Sequence, residues 1–338
     1  MFWFKEKKKN YLGIDIGESA IKLVELEKSD SRYNLKNYGI YSFESLDMKI
    51  HKLDNEEVAE IIKSVIEKAG IKTKQAFFSI PVYFSFSTLI NVPKMSKNEI
   101  ASAVSFEAKK YVPVPMSEVI LDWVVVNPIS DNQGSQVLLV AVLKEAVNNY
   151  SQIAKLCGLR LDSLEVETFS MVRALIGNDK SGVVLIDIGA RSTNISIVDG
   201  GNVRVIYNLE SGGIKLTSII SSYKKVSGSE AEKIKKELSK NQDVDLDKEV
   251  NYFLDSIIVR VKEIVDSYQN KYNRKLDKYI LVGGSSQIHN IVDYFFKNFD
   301  TEVSLGNPFA RLVYPTDLDP ILYKLIPTLS VATGLAMR

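Results

Sequence analysis

The sequence predicts an α/β protein built twice over, with two lobes around a shared cleft and a small α/β insert in the first lobe. Three observations carry that expectation. Leu12–Leu26, LGIDIGESAIKLVEL, and Val183–Val198, VVLIDIGARSTNISIV, are near-copies far apart in the chain. Each is an apolar, β-branched run that reaches Asp-Ile-Gly, turns through small or polar residues and resumes as an alternating strand, which reads as a β-hairpin. Between them lies a block with its own alternation of strands and helices. A turn of Gly, Ser, Ala and Thr leaves backbone N–H groups uncovered, and such a concavity binds phosphate. An Asp at the strand end beside it is placed to hold Mg²⁺ through its water shell. One Asp-x-Gly turn is common; two copies suggest a nucleotide clamped between duplicated halves.

Size and composition narrow the alternatives. The chain has 338 residues, 45% hydrophobic and 25% charged, values of a water-soluble protein with room for two domains. Net charge of +1 gives no field for nucleic acid. Cys157 is the single cysteine, which forbids an internal disulfide and fits a reducing compartment; it reads as a small buried hydrophobe. His51 and His289 are isolated, so zinc chemistry has no ligand cluster. The longest apolar run, Val137–Leu143, is strand length and does not cross a bilayer. The opening MFWFKEKKKN mixes aromatics with lysines, reads as a solvated terminus and lacks the apolar stretch of a signal peptide.

The elements follow in order. After the first hairpin, a third strand is expected around Tyr33–Phe43. Val58, Ile61, Ile62, Val65, Ile66 and Ala69 then recur at helical spacing, and Gly70 stops the helix. Strands are expected at Gln75–Ile80 and Phe84–Val92. In the insert, Ile100, Ala103, Val104 and Ala108 share a helix face, with Ser96 and Glu99 as a capping box. Pro113 and Pro115 end that helix. Val119–Val126 and Gln136–Leu143 read as strands, parted by a polar loop with Asp131, Asn132 and Gly134. Lys144–Cys157 reads as a helix. The second half repeats the plan: strands at Val183–Ile188, Asn194–Val198 and Val203–Asn208, helices at Ile214–Tyr223 and Ser229–Ser239, and a long helix at Asp247–Tyr272. The stripe of that long helix, Val250 to Tyr268, is packing surface. Lys278–Val282 is a strand, Ile288–Phe296 its following helix, and Ile326–Ala336 a closing apolar helix in which Gly334 permits close packing.

Two further segments bear on the cleft. YILVGGSSQIHNIVDYF, Tyr279–Phe295, is a strand opening into Gly-Gly-Ser and then a helix, which brings bare backbone and a helix N-terminus towards a ligand. Glu232 and Lys235 are three apart and share a helix face, so they suit a ribose and an adenine edge; alone, such a pair is also what a solvated charged helix carries.

The order of these parts resembles the actin-like ATPase superfamily. Within it, FEAKKYVPVPMSEVILDW at Phe106–Trp123, GGIKLTSIISSYKKVSGSEAEKIK at Gly212–Lys235 and the ending SVATGLAMR are similar to the PilM family of type IV pilus assembly proteins, a family related to FtsA. The resemblance spans nearly the whole chain. It implies a duplicated actin-like (ribonuclease H-like) α/β fold with ATP and Mg²⁺ in the interlobe cleft. First-lobe core is expected at 1–76, with 159–180 and 322–338 returning to it; the insert at 77–158; second-lobe core at 181–213 and 273–321; and a second-lobe helical subdomain at 214–272. By motif, Asp15, Gly17, Ser19, Ala20 and Lys22 match the first phosphate loop, and Asp187, Gly189, Ser192 and Thr193 the second. Gly213, Glu232 and Lys235 match adenosine-side contacts, and Gly283, Gly284 and Ser285 the adenosine loop. Asp15 and Asp187 are the implied metal residues. Glu18 departs from the pattern and is expected to point away from the phosphates, whereas Arg191 adds positive charge near them.

The same resemblance assigns catalytic roles to Asp187 and to a Glu that positions water, Glu165 or Glu167 with Glu167 preferred; a first-turn helix carboxylate is the equally weighted reading. The activity expected is ATP binding with at most slow hydrolysis. The implied partner is the cytoplasmic N-terminal peptide of a PilN-like membrane protein, in a groove beside the insert, with Tyr111, Pro113 and Pro115 as motif candidates. Other platform and motor proteins of pilus assembly are expected partners, and self-association stays open. The location implied is cytoplasmic, held at the inner membrane face through partners. Two alternatives remain: a small-molecule kinase of the same fold, and an FtsA-like filament protein, whose amphipathic membrane tail is not expected after Arg338.

Overall fold

The computed structural model describes residues 9–29, 32–43, 50–93, 97–126, 135–238 and 244–338. The N-terminal aromatic-lysine segment, the cap at Ser96 and the loop around Asp131, Asn132 and Gly134 lie outside them.

The first hairpin is β1 (Lys9–Ile16) and β2 (Ala20–Ser29), and β3 (Arg32–Ser42) pairs with β2. Helix α1 (Asn55–Lys68) starts at Asp54, whose carboxylate accepts from Glu57 N while Glu57 accepts from Asp54 N, a full capping box. It ends before Gly70, which takes φ +65°, the left-handed conformation that only glycine adopts without cost. Strand β4 (Gln75–Ile80) follows, then β5 (Ser85–Val92), α2 (Lys97–Glu107), β6 (Val119–Val126), β7 (Ser135–Leu143) and α3 (Lys144–Leu156). Next come β8 (Arg160–Val166), not foreseen from the sequence, and α4 (Glu167–Leu175), which starts at the Glu expected near a helix start.

The second half opens with β9 (Val183–Ile188), β10 (Thr193–Asp199) and β11 (Asn202–Leu209). Gly200 and Gly201, both at positive φ, make the tight turn between the last two strands. Helices α5 (Gly213–Lys224), α6 (Gly228–Lys236) and α7 (Val244–Tyr272) precede β12 (Lys278–Val282). The chain closes with α8 (Ile291–Phe299), β13 (Glu302–Leu305), β14 (Leu312–Val313), α9 (Asp319–Leu325) and α10 (Ser330–Ala336).

Strand order exposes the duplication. The first sheet runs β14-β3-β2-β1-β4-β8 and the second β11-β10-β9-β12-β13. Apart from β14, the two read identically: an antiparallel meander of three, then two parallel strands reached by crossovers. The long stripe of α7 is buried as expected, with Val250, Phe253, Leu254, Ile257, Ile258, Val261 and Val265 packed against the second sheet through Ile195, Ile197 and Leu281. The expected helical subdomain at 214–272 therefore shares one core with that sheet.

The structure draws two boundaries differently from the sequence. Within 77–158, only β5, β7 and β6 form a separate antiparallel sheet, with α2 packed on it. Strand β4 lies inside the first sheet, and α3 packs on α1 through Tyr150, Ile153 and Ala154 in the first-lobe core. At the other end, β14 pairs with β3, so 312–321 sits with the first lobe rather than the second. Leu138 and Val140 of the insert reach the second lobe, where they pack with Val198 and Val203.

Helix α10 packs into the first lobe at close quarters. A Cβ on Gly13 of β1 would fall 2.0 Å from Ala332 O, and one on Gly334 would fall 1.8 Å from Ser170 O of α4. Both glycines are thus required for the approach of α10 to β1 and α4.

Candidate functional site

A cavity of about 570 Å³ lies between the lobes. The two duplicated hairpins meet across it. In each, the glycine N–H bonds the carbonyl three residues on, Gly17 N to Ala20 O and Gly189 N to Ser192 O, both at 3.0 Å. The turn is closed tightly enough that its remaining backbone edge faces the cavity. Asp15 stands opposite Lys22 in the first hairpin, and Asp187 stands opposite Asn194 in the second.

The cavity wall contains Asp15, Gly17, Ser19, Ala20, Lys22, Glu167, Asp187, Gly189, Ser192, Gly213, Glu232, Lys235, Gly283, Gly284 and Ser285. Every site residue expected from sequence is therefore in one place except Thr193. That residue is fully buried, and its hydroxyl donates to Ser211 O at 2.7 Å. The reason is strand parity: residues alternate faces, so Ser192 and Asn194 face the cleft and Thr193 faces the core, like Ile21 in the first hairpin. Asn194 is the residue the sequence reading missed. Its signal was available, since it occupies in the second copy the position of Lys22 in the first.

The carboxylates cluster. Lys22 Nζ bonds Asp15 Oδ2 at 3.0 Å, and Ser79 Oγ donates to Asp15 Oδ1 at 2.9 Å. Glu167, in the first turn of α4, accepts from Val82 N at 3.0 Å and from Asn194 Nδ2 at 2.8 Å, so it ties the insert's entry to the second hairpin. Asn194 Oδ1 in turn accepts from Asn208 Nδ2 at 2.7 Å. Burial, then the charges of Asp187 and Asp15, push the Glu167 carboxyl up to about 8 against the opposing Val82 N–H. Burial and Asp15 push Asp187 up to about 6, while Lys22 and Asn194 pull the other way. Burial lowers the Lys22 ammonium, yet Asp15, Asp187 and Glu167 together outweigh it and the net shift is upward. Glu165, the other candidate, faces elsewhere: it is bidentate to Arg173 at 2.8 Å and also pairs with Arg338.

At the far end, α6 presents Glu232 and Lys235 as the three-residue spacing requires. Lys235 Nζ reaches Glu232 at 2.6 Å, Thr217 Oγ1 at 2.9 Å and Gly213 O at 3.1 Å. Burial pulls the Lys235 ammonium down, and Glu232 offsets it in part. Glycine is needed here: a Cβ on Gly213 would fall 2.5 Å from Ser285 Oγ. Gly283 takes φ +88°, and a Cβ there would fall 2.4 Å from Asp187 Oδ1. One expectation is corrected. The Gly-Gly-Ser segment continues as a short 3₁₀ turn, Gly284–Gln287, and α8 starts only at Ile291, outside the cavity wall, so the N-terminus of α8 does not point in. Asn290, in the left-handed conformation, breaks the two apart.

Two residues at the mouth complete the wall. Glu18, expected to point away, is buried and lines the cavity near Tyr83. The Arg191 guanidinium lies over the Tyr83 ring, 4.7 Å from its centroid. Among the described residues, no group of three or more His, Cys, Asp or Glu is arranged to ligate a metal directly, and no helix is long and apolar enough to cross a membrane.

Two sheets of identical order, paired Asp-x-Gly turns and a cleft between them define an actin-like ATPase fold. Solved structures agree: the PilM-PilN type IV pilus biogenesis complex superposes with TM-score 0.83 at 23% identity, covering 97% of this chain and 98% of that one. MreB5 of Spiroplasma citri bound to ADP superposes with TM-score 0.53 at 13% identity, covering 96% and 94%. The family model for type IV pilus assembly protein PilM matches residues 13–338, and the chain belongs to that family. More distant curated relatives are cell division proteins FtsA: that of Bacillus subtilis is 24% identical over 68% of this chain, a match spanning 58% of its own length. That of Enterococcus faecalis is 21% identical over 88% of this chain and 78% of its own.

Proposed function

We propose that this pilus assembly protein binds Mg–ATP between its lobes and docks the N-terminal peptide of a PilN-like membrane protein beside its insert. The observation that carries the nucleotide half is the convergence of four segments, separated by up to 270 residues, on one cavity with two bare turns in its wall. The residues suit the ligand. Gly213 and Gly283, lacking a Cβ, let the walls around Ser285 and Asp187 close up on the cavity. Asp15, Asp187 and Glu167 bring three carboxylates together with Lys22, a surplus of negative charge that favours a cation. Asp15 and Asp187 would hold Mg²⁺ through its waters, and the ion would screen phosphate charge. Gly17–Ala20 and Gly189–Ser192 would cradle phosphate by backbone N–H, and Glu232, Lys235, Gly284 and Ser285 would border the adenosine.

Glu167 is the residue we assign to orienting water, because two donors already fix one of its oxygens in the cavity. A neutral carboxyl at ordinary pH is a poor acceptor for a water proton, so turnover without a cation would be slow.

The partner half rests on the PilM-PilN complex found among similar folds and on the insert's surface. Phe106 and Tyr111 are exposed, as are Ile120, Val124 and Val125 of β6, which is an edge strand of the insert's sheet. An extended apolar peptide suits such an edge. Through this partner the protein would be held at the inner membrane face.

The test is calorimetric titration of a peptide copied from the PilN-like protein's N-terminus, with and without Mg–ATP. Saturable one-to-one binding is expected. Absence of binding in both conditions, with ATP binding established, would overturn the partner assignment and favour a kinase or filament role.

A further inference from the structure

We infer that Arg191 is the residue by which the cleft tells a nucleoside triphosphate from a diphosphate, and that it passes the distinction to the insert by releasing Tyr83. This rests on the nucleotide reading above and goes beyond it.

The two hairpins differ most at one position. Where the first turn carries Ser19, the second carries Arg191, a long cation at the tip of a turn otherwise built from Gly189, Ala190 and Ser192. Both Arg191 and Tyr83 line the cavity, and the guanidinium is stacked on the ring at 4.7 Å. The stack spans the cleft: Arg191 belongs to the second lobe, and Tyr83 to the short turn Val82–Phe84 that feeds directly into β5.

Its position along the cleft identifies the phosphate it would meet. Tyr83 follows Val82, whose N–H bonds Glu167 at 3.0 Å, so it stands at the carboxylate end. Lys235 instead bonds Glu232, Thr217 Oγ1 and Gly213 O, so it marks the opposite end. A nucleotide with its ribose at Lys235 extends its phosphates towards Asp15, Asp187 and Arg191. The outermost phosphate is the one a diphosphate lacks.

Competition for the guanidinium then decides the state. An exposed cation over a tyrosine ring is a weak contact, whereas a charge-assisted, bidentate bond from Arg to phosphate is strong. A terminal phosphate within reach takes Arg191 from Tyr83. The ring loses its partner across the cleft, and the turn keeps the Val82 N–H bond to Glu167 and its own Phe84 N to Pro81 O bond at 3.0 Å. With a diphosphate the stack persists. The insert is thereby made sensitive to the terminal phosphate.

The experiment measures Mg–ATP and Mg–ADP affinities by calorimetry, and backbone hydrogen exchange of residues 82–92, in wild type, Arg191→Gln and Tyr83→Leu. Arg191→Gln is expected to lower the ATP:ADP affinity ratio about tenfold and to abolish the difference in exchange between the two nucleotides. Tyr83→Leu is expected to raise the ratio about threefold, because the competing stack is gone. An unchanged ratio in Arg191→Gln, or exchange at 82–92 that answers ATP and ADP alike in wild type, would overturn the inference while leaving the nucleotide site intact. Failure of wild type to bind either nucleotide would overturn the site assignment itself.

Discussion

Replacing Glu167 by glutamine tests the electrostatics of the cleft most directly. Glutamine keeps the shape and an acceptor oxygen for Val82 N and Asn194 Nδ2 but cannot ionise. In the folded protein the Glu167 carboxyl is raised from an ordinary 4.5 to about 8. A folded-state value above the unfolded one means that the folded chain holds the proton more tightly. Its contribution is therefore fully present below about pH 4.5 and is lost progressively as pH rises to about 8. Undiscounted, that interval corresponds to about 5 kcal/mol at ~1.4 kcal/mol per tenfold change. Water in the cleft screens part of it, leaving about 2–3 kcal/mol. For a chain of 338 residues, an unfolding entropy of about 2.1 cal/mol/K per residue gives about 0.7 kcal/mol per degree. Ligand-free Glu167→Gln should then melt about 3–4 °C above wild type at pH 8.5, and the gap should close by pH 5. Calorimetric melting across that range, with chelator present, supplies the measurement. Parallel pH curves for the two proteins would refute the reasoning.

Three other outcomes follow from the same geometry. Asp187→Ala should weaken Mg–ATP binding by at least about tenfold in a calorimetric titration while the circular dichroism spectrum stays native; unchanged affinity would remove Asp187 from the site. Gly334→Val places a side chain on Ser170 O, 1.8 Å from the would-be Cβ, and should cost more than about 3 kcal/mol in urea unfolding. Arg274→Ala strands Asp199, which is 2% exposed and accepts from Arg274 Nε at 2.7 Å, so a loss of about 2–4 kcal/mol is expected, with the Tyr268 hydroxyl at 3.0 Å as its remaining donor from α7. A loss under ~1 kcal/mol would mean that water takes over Arg274's role.

Much of this molecule is local chemistry and was legible in the sequence. The two Asp-Ile-Gly hairpins, the helical stripe of α7, the stop at Gly70 and the close packing at Gly334 each depend on residues a few positions apart. Turn composition and hydrophobic period report them directly. The segments that were missed, β8, β13, β14 and α9, are short and partly exposed. Strand β14 has two residues and exists only because β3 offers it an open edge.

The sequence by itself determined that the fold is duplicated and that Glu232 and Lys235 lie side by side on one helix, because spacing along one chain fixes which side chains share a face. Only the tertiary structure decided which carboxylate enters the cleft. Glu165 and Glu167 are two apart, but the first is still in β8 and the second begins α4, so one meets Arg173 and the other meets Asn194. It also decided that Thr193 faces the core, that Asn194 stands where Lys22 stands in the first copy, and that Arg191 finds Tyr83 more than a hundred residues away. Those are contacts between elements brought together by packing, and no local pattern encodes the partner on the other side.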